Sequence, residues 1–239
     1  MSVRAIAAPR RSTSSAARAL VTAMVLGAAA AVGAPSLRDQ PAWPDTFVSR
    51  LEALALIQTL HGEILSSTSA TATLEKWCGD HAIAPAARIV ARLNRGEAPP
   101  ATAEQRRRLQ VDGVERVAAR SVELRCGDVV LSKARNWYVP RRLTADMNRL
   151  LETTDTPFGT VIQPLQPYRQ TIAAQMLWQP LPHGWERDPS ATASAAATLA
   201  IPDALFEHRA IVYARDRVAL SEVDEVYQRG ILAFAVAAR

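Results

Sequence analysis

Two strand-like segments joined by a short turn constrain the fold more than any other part of this sequence. Residues 114–126 and 129–139 are rich in residues that favour strands, and apolar and polar side chains alternate along the first of them. Cys126-Gly127-Asp128 provides the turn between them, and Pro140 ends the second segment. The sequence therefore predicts one long β-hairpin in the middle of the chain.

The segments before this hairpin have apolar residues at helical spacing. Thr46 is a candidate N-cap for a helix over Phe47–Leu65, and the spacing predicts a second helix over Ala70–Cys78. A third, short helix is predicted over Ala84–Arg95, and Thr102 begins a fourth with a capping box. We therefore expect the chain to be mainly helical up to the hairpin.

One helix and three strands are predicted after the hairpin. Thr144 is the cap of a helix over Ala145–Glu152, and a strand follows over Tyr168–Leu177. The last two strands, His208–Ala214 and Val218–Tyr227, pair through a short turn. Helices followed by strands in this order predict an α+β protein with a mainly antiparallel sheet.

The first 34 residues have the composition of a targeting segment. Four arginines and no acidic residue precede an apolar run over Ala19–Val32, and small residues follow that run. This arrangement predicts a secretory signal peptide over residues 1–34, because a membrane-spanning helix needs roughly 20 apolar residues. An uncleaved anchor and a misassigned start codon are the alternatives.

The rest of the chain is expected to form a proline-rich lead-in over residues 35–46 and one domain over residues 47–239. An exported protein would be periplasmic or secreted, and would contact a membrane only through an uncleaved signal segment. Removing residues 1–34 changes the charge from 28 basic and 23 acidic residues to 24 and 23, a net charge near +1. Such a charge does not support a nucleic-acid partner, and we expect a monomer.

The chain contains two cysteines, Cys78 and Cys126, and four histidines. In an oxidising compartment the cysteine pair favours a disulfide, which would close a loop of about 48 residues and stabilise the fold by about 4 kcal/mol. The alternative is two buried thiols that pack as small apolar side chains. Two thiols do not complete a zinc site and the histidines lack the spacing of metal ligands, so no metal is expected.

Four short motifs occur in an order that resembles the chorismate pyruvate-lyase family. A Ser-x-Thr segment after the first long helix is present as Ser69-Ala70-Thr71, and a Cys-x-Asp hairpin turn as Cys126-Gly127-Asp128. A Thr-Pro-Leu-Gly corner corresponds to Thr156-Pro157-Phe158-Gly159, and the closing strand's Thr-Glu pair to Ser221-Glu222. The resemblance extends over residues 47–227.

The resemblance implies a fold and an activity. The fold is a six-stranded antiparallel sheet with helices packed on one side, and the ligand is buried beneath helical flaps. The activity is the release of pyruvate from chorismate, which leaves 4-hydroxybenzoate and uses no cofactor and no metal. The expected partner is therefore a small aromatic carboxylate.

The resemblance also implies site residues. Glu222 corresponds to the family's catalytic glutamate, which meets the hydroxyl end of the ligand. Arg120, with Arg125 as the alternative, corresponds to the arginine that pairs with the ring carboxylate. The family's pocket methionine corresponds to Ala70 and its pocket leucine to Phe158, so the lining of the pocket differs from that of the family.

The residues considered without the family indicate a similar, less specific site. Alternation places Arg120 on a mostly apolar strand face, where an arginine needs an anion because an unpaired buried charge is costly. The alternatives are an internal ion pair with Glu222 or Glu225, or exposure to water. Asn136, which offers an amide, and Arg169, a second candidate carboxylate clamp, are further candidates for ligand binding.

Three functional hypotheses follow. The first is an exported enzyme of the lyase type, and the second is a non-catalytic module that binds a small aromatic carboxylate on the same fold. Export favours the second, because chorismate is made in the cytoplasm. The third is a structural protein of the cell envelope, which would have no closed pocket.

Overall fold

The computed structural model describes residues 42–94, 98–188 and 196–234. The predicted signal segment and most of the lead-in lie outside these ranges. No helix within them is long and apolar enough to cross a bilayer. The named elements follow in the order α1 (Phe47–Ser66), α2 (Ala70–Asp80), β1 (Ile89–Leu93), α3 (Ala103–Arg108), β2 (Ala118–Cys126), β3 (Val129–Tyr138), α4 (Ala145–Thr153), α5 (Phe158–Val161), β4 (Tyr168–Met176), β5 (Ala204–Tyr213) and β6 (Ala219–Gln228).

The first two helices begin at side-chain caps. The hydroxyl of Thr46 accepts a hydrogen bond from the backbone N–H of Ser49, and the hydroxyl of Ser69 accepts one from Ala72. The predicted start of α1 is confirmed, and α2 continues two residues beyond its predicted end. The buried stripe of α1 recurs every three or four positions and packs into the main core: Ala53, Ile57, Leu60 and Ile64.

The predicted helix over Ala84–Arg95 is wrong, because part of this segment forms the edge strand β1. Ile89 and Ala91 of β1 are buried and lie opposite Cys126 and Leu124 of β2 in antiparallel register. A short apolar run of this kind is compatible with either a helix or a strand. This segment forms a strand because it pairs with β2, and the local sequence does not show that pairing.

The six strands form one sheet in the order β1-β2-β3-β6-β5-β4, and every neighbouring pair is antiparallel. β2 and β3 form the predicted central hairpin. Gly127 in its turn has a φ of 55°, a left-handed conformation that glycine adopts without steric cost. The α+β class and the six-stranded antiparallel sheet are therefore confirmed.

The two faces of the sheet differ in what covers them. On the covered face, α1 and α2 pack in one apolar cluster with Val122 and Ala134, and α4 and α5 pack in a second cluster with Tyr138. The open face carries exposed charged side chains such as Lys133 and Arg135. Because side chains alternate along a strand, each position of β2, β3 and β6 belongs to one of these two faces.

The helix α3 lies at one end of the open face. It begins with the predicted capping box between Thr102 and Gln105. Leu109, which follows the helix, is fully buried with Trp137 of β3 and Ile211 of β5 in a small apolar cluster. This cluster is separate from the main core on the covered face.

A disulfide joins the covered face to the helix layer. Cys78 of α2 is bonded to Cys126 at the end of β2, 48 residues away, so the predicted disulfide is confirmed. Beside it, Nε1 of Trp77 donates a hydrogen bond to the carbonyl oxygen of Ile231 at 2.9 Å. These contacts fix the position of α2 above the sheet.

Candidate functional site

A cavity lies between the covered face and the helices above it. Side chains of β2, β3, β5 and β6 form its floor, the turn between α1 and α2 forms the roof together with α5, and the start of β4 closes one side. The space that the centre of a water molecule can occupy in it is about 70 Å³. This is enough for several waters or one small organic molecule. The apolar part of its lining consists of Ala70, Val122, Leu124, Ala134, Phe158, Ile162, Pro167, Val212 and Val223.

Arg120 is near the start of β2 and lines this cavity. The residue is 6% exposed, and burial lowers the pKa of its guanidinium group. Its Nη1 donates to the carbonyl oxygen of Thr156 at 3.2 Å, and its Nη2 donates to the carbonyl oxygens of Thr154 and Thr156 at 3.3 Å. Its Nε has no hydrogen-bond partner among the described residues.

Arg169 of β4 and Glu225 of β6 form a buried ion pair that lines the cavity. Nη1 of Arg169 donates to Oε2 of Glu225 at 2.5 Å, and the hydroxyl of Tyr227 donates to the same oxygen at 3.0 Å. The side chains of the pair are 4% and 7% exposed. Burial by itself would lower the pKa of Arg169, but the negative charge of Glu225 raises it above its ordinary value. Nε and Nη2 of Arg169 have no partner in the described part of the chain.

Two neutral side chains in the floor of the cavity also lack partners within the described ranges. These are the amide oxygen of Asn136 on β3 and the hydroxyl of Ser221 on β6. Leaving one buried polar atom unpaired costs about 1–3 kcal/mol. Together with the free nitrogens of Arg120 and Arg169, the residues that line the cavity therefore carry both donors and acceptors without a partner in the described part of the chain.

The roof depends on a close approach between α2 and α5. A Cβ atom on Gly159 would lie 2.8 Å from Oγ1 of Thr71, so glycine lets α5 approach the start of α2. Phe158, immediately before it, faces the cavity and packs against Tyr138 with 5.7 Å between ring centroids. The glycine of the Thr-Pro-Phe-Gly motif is thus explained by packing.

Five of the residues predicted for the site line the cavity together: Ala70, Arg120, Asn136, Phe158 and Arg169. They come from a helix, two central strands, a short helix and an edge strand. Arg120 faces inward by alternation with Val122 and Leu124, which line the same cavity.

The structure does not bring Glu222 to this cavity. Glu222 is fully buried, but it lies on the open face, opposite Trp137 in register. Its carboxylate oxygens accept hydrogen bonds from Nε and Nη2 of Arg108 at 2.8 and 2.6 Å. The glutamate of β6 that lines the cavity is Glu225, so the structure does not place Glu222 with the other predicted site residues.

Arg125 is also outside the cavity. Alternation along β2 turns Arg125 to the open face, between the buried residues Leu124 and Cys126. Nη1 of Arg125 donates to the carboxylate of Glu123 at 2.9 Å, and the residue lines a separate open groove. Arg125 therefore does not serve as the alternative to Arg120 in this cavity.

Glu225 and Ser221 are not among the predicted ligand-binding residues. The sequence of β6 does not show which positions face inward, because apolar residues occur at both odd and even positions: Leu220, Val223, Val226 and Tyr227. In the structure, Ser221, Val223 and Glu225 share the face that lines the cavity. The motif resemblance points to the neighbouring glutamate, Glu222.

A buried histidine lies beside the ion pair. His208 of β5 is opposite Glu225 in register and 1% exposed, and neither ring nitrogen has a partner among the described residues. Burial, together with the charge of Arg169 and the nearby His61, lowers the pKa of His208 to about 3. The imidazole is therefore neutral near pH 7.

Within the described ranges, no group of three or more His, Cys, Asp or Glu side chains is placed to hold a metal ion. The cavity contributes one carboxylate, Glu225, and it is already paired with Arg169. The expectation that the protein uses no cofactor stays a prediction.

A search of curated proteins finds a relative over nearly the whole chain. It is 42% identical to the uncharacterized protein y4mC of Sinorhizobium fredii over 219 residues, which is 90% of this chain and 92% of the relative. The chain belongs to the same family as y4mC. No family model matches the sequence.

Distant likenesses are found among solved structures. The effector domain of PhnF from Mycobacterium smegmatis is 13% identical, covers 63% of this chain and 87% of its own length, and has a TM-score of 0.40. The effector-binding domain of the trehalose repressor TreR from Bacillus subtilis is 10% identical, covers 63% of this chain and 97% of its own length, and has a TM-score of 0.33. We draw no conclusion about function from likenesses at this level.

Proposed function

We propose that this protein binds a small aromatic carboxylate in the cavity on the covered face. The observation that carries this proposal is the set of buried polar atoms in one cavity that lack partners within the described residues. Three of them are nitrogens of Arg120 and Arg169, and the others belong to Asn136 and Ser221. Such atoms are costly in an empty apolar site and favourable in one filled by a matching ligand.

The charges around the cavity support an anion. Arg120 and Arg169 contribute two positive charges, and Glu225 contributes one negative charge. One negative charge on the ligand would balance this set. The start of α2, at Ser69 and Ala70, also lines the cavity, and the N-terminus of a helix favours negative charge nearby.

The shape of the lining supports a flat ring. The floor carries short branched or small side chains, among them Ala134, Val212 and Val223, and Phe158 faces them from α5. A planar ring placed between these layers would bury its apolar faces and leave its polar substituents at the rim.

Pyruvate release from chorismate is the second candidate function. The observation that favours it is the carboxylate of Glu225, which faces the cavity and is held by Arg169 and Tyr227. In this reaction a base removes the proton at ring carbon 4 and the bond from carbon 3 to the ether oxygen breaks. The electron pair leaves with the three-carbon group, which takes up a proton and becomes pyruvate, and the ring becomes aromatic. Glu225 would be that base.

Export of the protein is also a proposal. It is supported by the arginine-rich start and apolar run of residues 1–34. The disulfide between Cys78 and Cys126 is typical of proteins in oxidising compartments. N-terminal sequencing of the secreted or periplasmic protein should find a start near residue 35, and a start at Met1 would contradict the proposal. The monomeric state and the lack of a nucleic-acid partner stay predictions.

One experiment tests both candidate functions. Purified protein is incubated with chorismate while pyruvate is followed, and its melting temperature is measured with and without 4-hydroxybenzoate. Arg120→Ala and Glu225→Gln change the cavity, and Glu222→Gln is the matched control on the open face.

The outcomes separate the hypotheses. A rise in melting temperature that Arg120→Ala and Glu225→Gln reduce, without pyruvate release, supports the binding function alone. Pyruvate release that is lost in Glu225→Gln and kept in Glu222→Gln supports the lyase. The lack of both signals would contradict the proposal and favour a structural role.

A further inference from the structure

Arg108 shows how this protein binds a carboxylate with one edge of a guanidinium group. Its Nε and Nη2 donate to the two carboxylate oxygens of Glu222 at 2.8 and 2.6 Å. The N–H groups on these two nitrogens are parallel, and they match the two oxygens of a planar carboxylate. The third nitrogen, Nη1, is bonded to Glu104. Every nitrogen of this guanidinium therefore has a partner.

Arg169, which lines the cavity, has the same edge without a partner in the described residues. Its side chain is 4% exposed, Nη1 is bonded to Glu225, and Nε and Nη2 are the two nitrogens left free within the described residues. A buried guanidinium that lacks acceptors on one edge bears a desolvation cost that a bound carboxylate would remove.

Arg120 lacks this free edge. Its Nη1 and Nη2 donate to the backbone carbonyl oxygens of Thr154 and Thr156, so only its Nε remains without a partner in the described part of the chain. Arg120 therefore offers one N–H to a ligand where Arg169 offers two. The resemblance to chorismate lyases, in contrast, assigns the carboxylate to Arg120.

We propose that Arg169, and not Arg120, binds the carboxylate of the ligand through its Nε and Nη2 edge. This inference rests on the proposed function, that the cavity binds a small aromatic carboxylate. Arg120 contributes its charge and a single hydrogen bond to an acceptor elsewhere on the ligand. The unpaired amide oxygen of Asn136 accepts from a donor on the ring, so the ligand class is a hydroxyl- or amino-substituted aromatic carboxylate.

The ion pair with Glu225 prepares Arg169 for this role. Glu225 accepts from both Arg169 and Tyr227, and it therefore fixes the orientation of the guanidinium before the ligand arrives. A donor that is already oriented loses little conformational entropy when it binds. Because Glu225 balances the charge of Arg169, the positive charge of Arg120 attracts the anion into the site.

The test compares a carboxylate with its neutral isostere by isothermal titration calorimetry. The probes are 4-hydroxybenzoate and 4-hydroxybenzamide, and the proteins are the wild type, Arg169→Lys and Arg120→Lys. Lysine keeps the positive charge but cannot form two parallel bonds to a carboxylate. We expect the wild type to prefer the carboxylate at least tenfold, Arg169→Lys to lose most of this preference, and Arg120→Lys to keep it within threefold.

The opposite pattern, with the preference lost in Arg120→Lys and kept in Arg169→Lys, would overturn the inference. Equal binding of both probes to the wild type would also overturn it, while leaving the binding cavity supported. If the wild type binds neither probe, the proposed function fails and this inference fails with it. Should Arg169→Lys not fold, the neutral pair Arg169→Gln with Glu225→Gln replaces it, and it is expected to lose the preference in the same way.

Discussion

Two glutamates on the same strand, Glu222 and Glu225, are in contrasting environments. Both are buried and both pair with an arginine, yet they lie on opposite faces of the sheet. On the open face, the partner Arg108 has every nitrogen bonded to a carboxylate. On the covered face, the partner Arg169 has two nitrogens without a partner in the described residues. The first pair completes the fold, and the second leaves donors for a ligand.

The difference shows that residue type and burial do not identify a functional site by themselves. Glu222 is the more deeply buried glutamate of the two, and it carries the motif resemblance. What distinguishes Glu225 is that it shares a cavity with unpaired polar atoms on other strands. We expect the two faces to differ because the buried arginine of one has all its hydrogen bonds and that of the other does not. Changes to either face should reveal this difference, from the largest expected effect to the smallest.

Removing the disulfide should have the largest effect, because it ties the helix layer to the covered face. Replacing Cys78 and Cys126 together by alanine should lower the free energy of unfolding by about 4 kcal/mol, since the bond closes a long loop in the unfolded chain. Urea denaturation measures this, with the wild type under reducing conditions as the control. A decrease of less than about 1 kcal/mol in the free energy of unfolding would show that the helices keep their position without the disulfide.

The two glutamates should differ in stability as well as in binding. Glu225→Gln leaves the guanidinium of Arg169 buried without its counter-charge and should cost roughly 3 kcal/mol. Glu222→Gln should cost less, roughly 1 kcal/mol, because the side chain of Arg108 is 21% exposed and keeps its pair with Glu104. Urea denaturation of both variants at pH 7.5 tests the comparison. Equal losses would remove the distinction between the two faces.

The covered face should also make stability depend on pH through His208. Its pKa is about 3 in the fold, against about 6.5 in an unfolded chain. Below pH 6.5 the unfolded state therefore binds a proton that the folded state does not, and stability falls as the pH falls. The slope approaches about 1.4 kcal/mol per pH unit down to the folded pKa, and this contribution is constant above the unfolded pKa.

The variant His208→Phe tests this pH dependence. It should remove most of the loss of stability between pH 6.5 and 5, measured by urea denaturation at several pH values. At pH 8 it should leave the free energy of unfolding unchanged or higher, because the replaced ring nitrogens had no partner among the described residues. An unchanged slope in the variant would assign the effect to other groups.

A surface pair on the open face should give the smallest effect. Arg209 donates to Asp224 at 2.9 Å, but its side chain is about half exposed. Arg209→Ala should therefore change the free energy of unfolding by less than about 0.5 kcal/mol and leave ligand affinity unchanged. A change in affinity comparable to that of Arg169→Lys would show that the open face takes part in binding.

Local sequence signals predicted much of this molecule. The caps at Thr46 and Thr102, the turn at Gly127 and the alternation that turns Arg120 inward all depend on residues close together in the chain. Each of these features needs only backbone hydrogen bonds or steric preferences that neighbouring residues decide. They were therefore predictable without a structure.

The wrong predictions concern residues whose structure depends on partners distant in sequence. The strand Ile89–Leu93 was predicted as part of a helix, because its pairing with β2 is invisible in the local sequence. The motif points to Glu222 as the glutamate of the site, and the sequence of β6 does not correct it, because apolar residues occur at both odd and even positions of the strand. A single-residue change in register exchanges the faces of a strand, so motif matching alone does not decide such a position.

The sequence by itself determined the α+β class, the central hairpin, the cysteine pair and five of the residues that line the cavity. Only the tertiary structure decided which glutamate lines the cavity and which nitrogens of Arg120 and Arg169 have no partner in the described residues. The physical reason is that hydrogen-bond partners are assigned by contacts between strands and helices far apart in the chain. Whether a polar atom is satisfied or free depends on those contacts.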